Sequence, residues 1–288
     1  MARSRLNRGI EALASGGVAF AAAPIPANSG ESIASAGRIG HELIVLDMEH
    51  QWFDISALQR TLEQLGLADL HDRRPDRLPK ATPIVRLPTN AREQSEWIIK
   101  LVLDAGAFGI VVPQMDTVES ARAAVAACRY AREFDAPDHP GRRGYWPRLA
   151  PRRWDMDPDE YMSRAELWPL DPSGELLLIP IIETVEGVRN LPAILSDVAG
   201  IGAIWAGTGD LSVSLRAERR RQEMSVEEAL GQILATCQAH DVPCGIAVDE
   251  TNVLFRIEQG YRVLFSEPSW TDNAMTLGNA RERRTHGS

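Results

Sequence analysis

Short apolar runs alternate with longer amphipathic stretches along most of the chain. The runs Val18–Ala22, Leu43–Leu46, Pro83–Arg86, Gly109–Val112, Leu177–Ile182, Ala203–Ala206, Cys244–Val248 and Arg262–Phe265 give eight strand candidates. Most are continuously apolar rather than alternating, which is the pattern of strands covered on both faces. Between them a helical period shows in DISALQRTLEQLG, EQSEWIIKLVLDAG, DTVESARAAVAACRYA and SVEEALGQILATCQAH. Asp116 and Ser225 stand at N-cap positions, and Ser225 with Glu228 has the pattern of a capping box. Gly106 has the place of a helix C-terminal glycine leading straight into the next strand. Eight β/α units in 288 residues predict an α/β protein with a (β/α)8 TIM barrel, a single domain over residues 1–288.

One segment breaks the alternation. Residues 130–175 are rich in Pro, Asp, Arg and Trp, as in APDHPGRRGYWPRLAPRRWDMDPDEYM. A connection of this length carries a function or its own short helices, and DPDEYMSRAELW predicts one such helix. The segment reads as a long insertion before strand 5, an extended loop near the active site. Its aromatic content speaks against a disordered linker. The last stretch, about 268–288 and including EPSWTDNAMTLGNARERR, reads as an amphipathic C-terminal helix and tail.

A formal charge of −9 argues against a nucleic-acid partner, which demands a basic face. The local clusters RLAPRRW and RAERRR read as solvated surface or small-anion contacts. Cys128, Cys237 and Cys244 form no CxxC pair and have no histidine at zinc-like spacing. They read as reduced, buried thiols of a cytoplasmic protein. The opening MARSRLNRGIEALASGGVAFAAAPIPA has the basic start of a signal peptide, but Glu11, Ser15 and glycines interrupt its apolar stretch. No apolar run approaches the roughly 18 residues of a membrane span.

In a barrel, reactive side chains come from the C-terminal ends of strands and the loops behind them. Strand 2 delivers Asp47, Glu49 and His50; strand 3 delivers Arg86; strand 5 delivers Glu183; strand 6 delivers Asp210. Glu183 and Asp210, from adjacent strands and without a Cys or His ligand beside them, suit a hard cation such as Mg²⁺ or Mn²⁺. The other reading of Glu183 is an acidic residue favoured at the helix start in ETVEG. GIGAIWAGTGD is glycine-rich, yet Gly200 and Gly202 precede the strand, so it is no dinucleotide fingerprint. Gly207, Thr208 and Gly209 instead put small residues where backbone N–H groups can approach a carboxylate.

LDMEH, VRLP, LDAGAFGIVVPQMDTVESARAAV, GRRG, IIETVEGVRNLPAIL and GTGDLSVSL, in this order, resemble the HpcH/HpaI aldolase family. Its members are metal-dependent class II pyruvate aldolases, related to the citrate lyase β-subunit and the malyl-CoA lyases. The resemblance runs from about Val18 to the final helix. It implies a barrel that binds a divalent cation (Mg²⁺, Mn²⁺ or Co²⁺) and pyruvate or a related 2-oxo acid. Glu183 and Asp210 are then the metal ligands, His50 the active-site histidine and Arg86 the arginine that stabilises the enolate. Asp104 is implied as the acidic partner of the histidine, a group often contributed by a neighbouring subunit. Asp47 and Glu49 match the positions that order the histidine and the waters around the metal. The chain departs from the family where many members have Gln at the position of Ile181, and where Thr208 and Gly209 replace Pro and Ala. These departures bear on the substrate.

The implied reaction is reversible cleavage of a 4-hydroxy-2-oxo acid to pyruvate and an aldehyde, with His50 moving the hydroxyl proton. Lys80 and Lys100 are the only lysines, and neither sits at a strand C-terminus, which disfavours a Schiff-base aldolase. Arg142, Arg143 and Trp146 in GRRGYWP are candidates to meet an aromatic or acidic aldehyde. Two other readings stay open: a CoA-thioester lyase of the malyl or citramalyl type, and a non-catalytic ligand-binding barrel. The resemblance also implies a homo-oligomer, a hexamer or trimer of dimers.

Overall fold

The computed structural model describes residues 5–26, 40–51, 53–65, 81–94, 96–133, 140–218 and 223–267. The strands β1 (Ala19–Pro26), β2 (Leu43–Asp47), β3 (Thr82–Arg86), β4 (Gly109–Val112), β5 (Leu177–Ile182), β6 (Ile204–Ala206), β7 (Cys244–Ala247) and β8 (Val263–Ser266) close into a parallel barrel. Each pairs with the next, and β8 pairs with β1. This is the (β/α)8 barrel that the sequence predicts. Ahead of β1 lies α1 (Arg8–Ala14). Between strands run α2 (Ile55–Gln64), α3 (Glu96–Asp104) and α4 (Val118–Cys128). The segment before β5 holds α5 (Ala150–Arg153) and α6 (Pro158–Arg164). The outer layer then continues with α7 (Val185–Asp197), α8 (Thr208–Glu218), α9 (Val226–Ala239) and α10 (Val253–Gln259).

Period-two alternation divides the core. Ala19, Ala21, Leu43, Val45, Ile84, Val111, Ile179, Trp205, Val263 and Phe265 fill the barrel interior, with Ile10 and Leu13 of α1 against them. The other set, including Ile44, Leu46, Val85, Ile110, Leu178 and Ile204, packs outward onto the helices. Helix α1 closes the foot of the barrel, where the strands begin. Asn7 caps it by accepting from the Ile10 N–H at 3.1 Å, and its amide donates to the carbonyls of Phe108 and Glu175. Gly9 packs so tightly there that a Cβ would lie 2.5 Å from Leu43 Cδ2. The opposite end, where strands finish, is left for the site.

Local signals account for most boundaries. Gly106 has φ 100°, the left-handed conformation that lets α3 turn into β4. Ser225 and Glu228 form the expected capping box at the start of α9. Two expectations need correction. Strand β1 runs on to Pro26 with a register shift between Ala22 and Ile25, because a bulge accommodates Pro24, which cannot donate to the ladder. The N-cap of α4 is Thr117, which accepts from the Ser120 N–H at 3.1 Å; the Asp116 side chain is engaged elsewhere.

The described part of the insertion, residues 140–175, packs at the foot of the barrel rather than beside the strand C-termini. Trp154 stacks on Phe108 at 4.2 Å between centroids and donates its indole N–H to the Gly106 carbonyl at 3.1 Å. Both partners lie in the turn that enters β4, so the indole fixes where the segment goes. The helix expected in DPDEYMSRAELW is α6, capped by Asp157 through the Glu160 N–H. In the RLAPRRW cluster, Arg153 donates to the Gln59 and Ala105 carbonyls and to Glu63, a packing role. All three cysteines are free and buried, and burial pushes the Cys128 thiol up to about 12. Among the described residues no helix is long and apolar enough to cross a membrane. The expected C-terminal helix lies outside the described residues, as does Lys80.

Candidate active site

Strands β2 and β3 end side by side, with Asp47 opposite Arg86 in the register. The Arg86 guanidinium is held on two of its nitrogens. Nε donates to Asp47 Oδ1 at 2.9 Å, and Nη1 lies 3.1 Å from Glu49 Oε2. Among the described residues Nη2 has no hydrogen bond. Asp47 Oδ1 also accepts the Glu49 N–H at 3.0 Å, which fixes the turn leaving β2. Glu49 Oε2 is 3.5 Å from His50 Nε2, so this carboxylate bridges the arginine and the histidine. The arginine side chain is 12% exposed and the imidazole 65%, so the pair runs from the interior to the rim.

Across the mouth, β5 and β6 pair through Ile182 and Ala206, and Glu183 and Gly207 come next. A Cβ on Gly207 would lie 2.8 Å from Glu183 Cβ, from its Oε2 and from Ile181 Cγ2, so only glycine leaves room for the carboxylate. Glu183 is buried, and its Oε1 accepts the Gln114 backbone N–H at 2.8 Å. Thr208, Gly209 and Asp210 form the first turn of α8, with Asp210 exposed at its positive end.

Electrostatics tie the two sides together. Burial pushes the Glu183 carboxyl up to about 7; Asp210 and Glu49 add to the rise, while the Gln114 N–H and Arg86 oppose it. Burial also raises Glu49, partly offset by Arg86 and His50, with Asp47 and Asp210 pushing upward. Carboxylates thus outnumber the guanidinium at this mouth. Glu183 and Asp210 are hard oxygen donors standing in that surplus of negative charge, which fits a divalent cation. Among the described residues no group of three or more His, Cys, Asp or Glu is close enough to enclose an ion. A cation held by these two would keep positions open for water and ligand.

Two contributors escaped the sequence reading. Trp205 points inward two residues before Gly207, and its indole stacks on Phe265 at 3.7 Å to form the floor. Arg86 Cζ lies 6.0 Å from its ring centroid. Period-two counting back from Gly207 would have found it. Gln114 acts through its backbone N–H and follows β4, a strand end that carries no charged side chain. Of the other candidates, Asp104 ends α3 at the foot of the barrel, where Arg143 Nη2 donates to it at 2.7 Å. Arg142 lies in a groove outside α3 and α4 with Trp97 and Lys100. Trp146 is exposed beneath Arg148, 4.9 Å from its ring centroid. Within one chain, Asp104, Arg142 and Trp146 are not brought to the cluster.

A parallel barrel whose strand ends gather carboxylates, a histidine and a pinned arginine has the architecture of a TIM-barrel enzyme. The model of the HpcH/HpaI aldolase/citrate lyase family matches residues 24–262, and the chain belongs to this family of carbon–carbon lyases. A hydroxypyruvate/pyruvate aldolase of Roseobacter denitrificans is 31% identical over 179 residues, 62% of this chain and 58% of that protein. A 5-keto-4-deoxy-D-glucarate aldolase of Salmonella paratyphi A is 31% identical over 211 residues, 73% of this chain and 70% of that one. A solved HpcH/HpaI family protein of Burkholderia cenocepacia shares the fold, with a TM-score of 0.67 at 24% identity over 93% of this chain and 94% of that chain.

Proposed function

We propose that the barrel mouth catalyses reversible aldol cleavage of a 4-hydroxy-2-oxo acid into pyruvate, or a related 2-oxo acid, and an aldehyde. The observation that carries this reading is Arg86, held by Asp47 and Glu49 with Nη2 unbonded among the described residues, in the same electrostatic cluster as Glu183. The names of the two curated aldolases support it. Cleavage of the C3–C4 bond passes its electron pair to the three-carbon fragment as an enolate. A guanidinium already fixed by two carboxylates meets that charge without reorganising. The 4-hydroxyl gives up its proton as C4 becomes the aldehyde carbon, and the enolate takes a proton at C3 to become the 2-oxo acid. His50, at the rim and beside Glu49, is placed to receive the hydroxyl proton.

A divalent cation, Mg²⁺, Mn²⁺ or Co²⁺, held by Glu183 and Asp210 would supply Lewis-acid polarisation of the 2-oxo group. The backbone N–H groups of Thr208 and Gly209, at the start of α8, are donors for the substrate carboxylate. Trp205 and Phe265 close the floor against water. Asp104, Arg142 and Trp146 could reach a mouth only from a neighbouring copy in a homo-oligomer, and they carry no step here.

The test is pyruvate release from free 4-hydroxy-2-oxo acids, with CoA-thioester analogues as competitors. Arg86→Ala and His50→Ala are each expected to lose about 10²-fold or more in kcat/KM. Parent-like turnover in both variants would remove the basis of the proposal.

A further inference from the structure

Three consecutive residues of the loop after β4 grip the end of β5 and the segment that follows it. The Gln114 N–H donates to Glu183 Oε1 at 2.8 Å, and the Met115 N–H to the Ile181 carbonyl at 3.0 Å. Asp116 Oδ1 accepts from the Thr184 hydroxyl at 2.5 Å, and the Asp116 carbonyl accepts from the Asn190 amide at 2.7 Å. Thr184 is also the N-cap of α7, its oxygen accepting the Gly187 N–H at 2.9 Å. One hydroxyl therefore donates to one loop and accepts from its own helix, which leaves its rotamer no freedom.

The gripping loop is itself held. Gln114 has φ 48°, a left-handed conformation unfavourable for a residue with a side chain. Its side-chain oxygen accepts from Arg92 Nη2 at 3.1 Å, an anchor for that conformation. Asp116 is only 6% exposed, so its carboxylate is committed to the Thr184 side. Gly187 suits the same contact, since a Cβ there would stand a tight 3.0 Å from Asp116 Oδ1 and 3.2 Å from the Met115 carbonyl. An N-cap needs only the acceptor function of Thr184. Thr184 is next in sequence to Glu183, and its additional bond to the buried Asp116 points to a demand on that glutamate's placement.

We infer that Gln114 and Asp116 are positioning residues for Glu183. The Gln114 N–H engages Oε1, and the Asp116–Thr184 bond locks the backbone beneath it, leaving Oε2 beside Gly207 as the oxygen offered to a ligand. The inference rests on the reading of Glu183 and Asp210 as the cation-holding pair, and deepens it.

Metal-free full-length protein is titrated with Mn²⁺ and the free ion read by electron paramagnetic resonance, with circular dichroism confirming the fold. Asp116→Ala and Thr184→Val are expected to weaken Mn²⁺ binding by about 10–100-fold, and to lower kcat more than they raise KM. Thr184→Ser, which keeps the hydroxyl, stays closest to the parent. Glu183→Gln and Asp210→Asn serve as references. If these two lose Mn²⁺ while Asp116→Ala and Thr184→Val bind like the parent, the positioning role is wrong and the metal reading stands. If both references bind like the parent, the Glu183–Asp210 pair is wrong and the inference falls with it. Should Thr184→Val fail to fold, Asp116→Ala and Asp116→Asn decide, because neither removes the cap of α7.

Discussion

A methyl group on Gly207 would lie 2.8 Å from Glu183 Cβ and Oε2, whereas one on Gly209 would meet nothing within 4 Å. The two glycines stand two positions apart, yet only the first is fixed by space. Gly207→Ala is expected to push Glu183 aside and cost about 10²-fold in kcat, because small misplacements at a reacting centre are expensive. Gly209→Ala keeps the backbone N–H, retains most turnover, and gains up to about 1 kcal/mol of helix propensity. Steady-state kinetics and thermal melts on the pair read both outcomes; equal losses would show that space around Glu183 is not what Gly207 provides. Asp47, Arg86 and Glu183 were legible in the sequence because each directly ends or follows an apolar run. Gln114 was not, since it works through a peptide N–H that any residue type carries. Asp116 was legible as a polar residue before a helix, but its partner Thr184 lies 68 positions away.

At the scale of elements, hydrophobic period gave every strand to within a few residues, and failed where the chain obeys a distant partner. Strand β1 outran its apolar core because the bulge at Pro24 is a pairing property, set by β2 as much as by composition. The Pro- and Arg-rich insertion looked like a mouth loop, but Trp154 buries itself on Phe108 at the opposite end. Nothing in local sequence states to which end of a barrel a loop will fold. Trp154 is 0% exposed, so Trp154→Ala is expected to cost about 3–5 kcal/mol in denaturant unfolding. The folded fraction should keep the parent kcat, since the cavity opens far from Arg86. A fall in kcat with unchanged stability would instead draw this segment into the chemistry.

The molecule as a whole is asymmetric along the barrel axis. Helix α1 closes the foot with Ile10 and Leu13, and the mouth holds the cluster of Asp47, Glu49, Arg86 and Glu183. Composition and pattern were enough for the barrel, because eight buried runs separated by helices have few alternatives. They were not enough for the substrate: Arg142 and Trp146, candidates to meet the aldehyde, lie away from the cluster at the mouth. The measurement that bears most directly on the central claim is pyruvate release from a 4-hydroxy-2-oxo acid by EDTA-treated protein, before and after adding Mg²⁺, Mn²⁺ or Co²⁺. The account predicts release near background in EDTA, restored by cation in the parent and not in Glu183→Gln. Release that ignores EDTA, or parent-like restoration in Glu183→Gln, would contradict it.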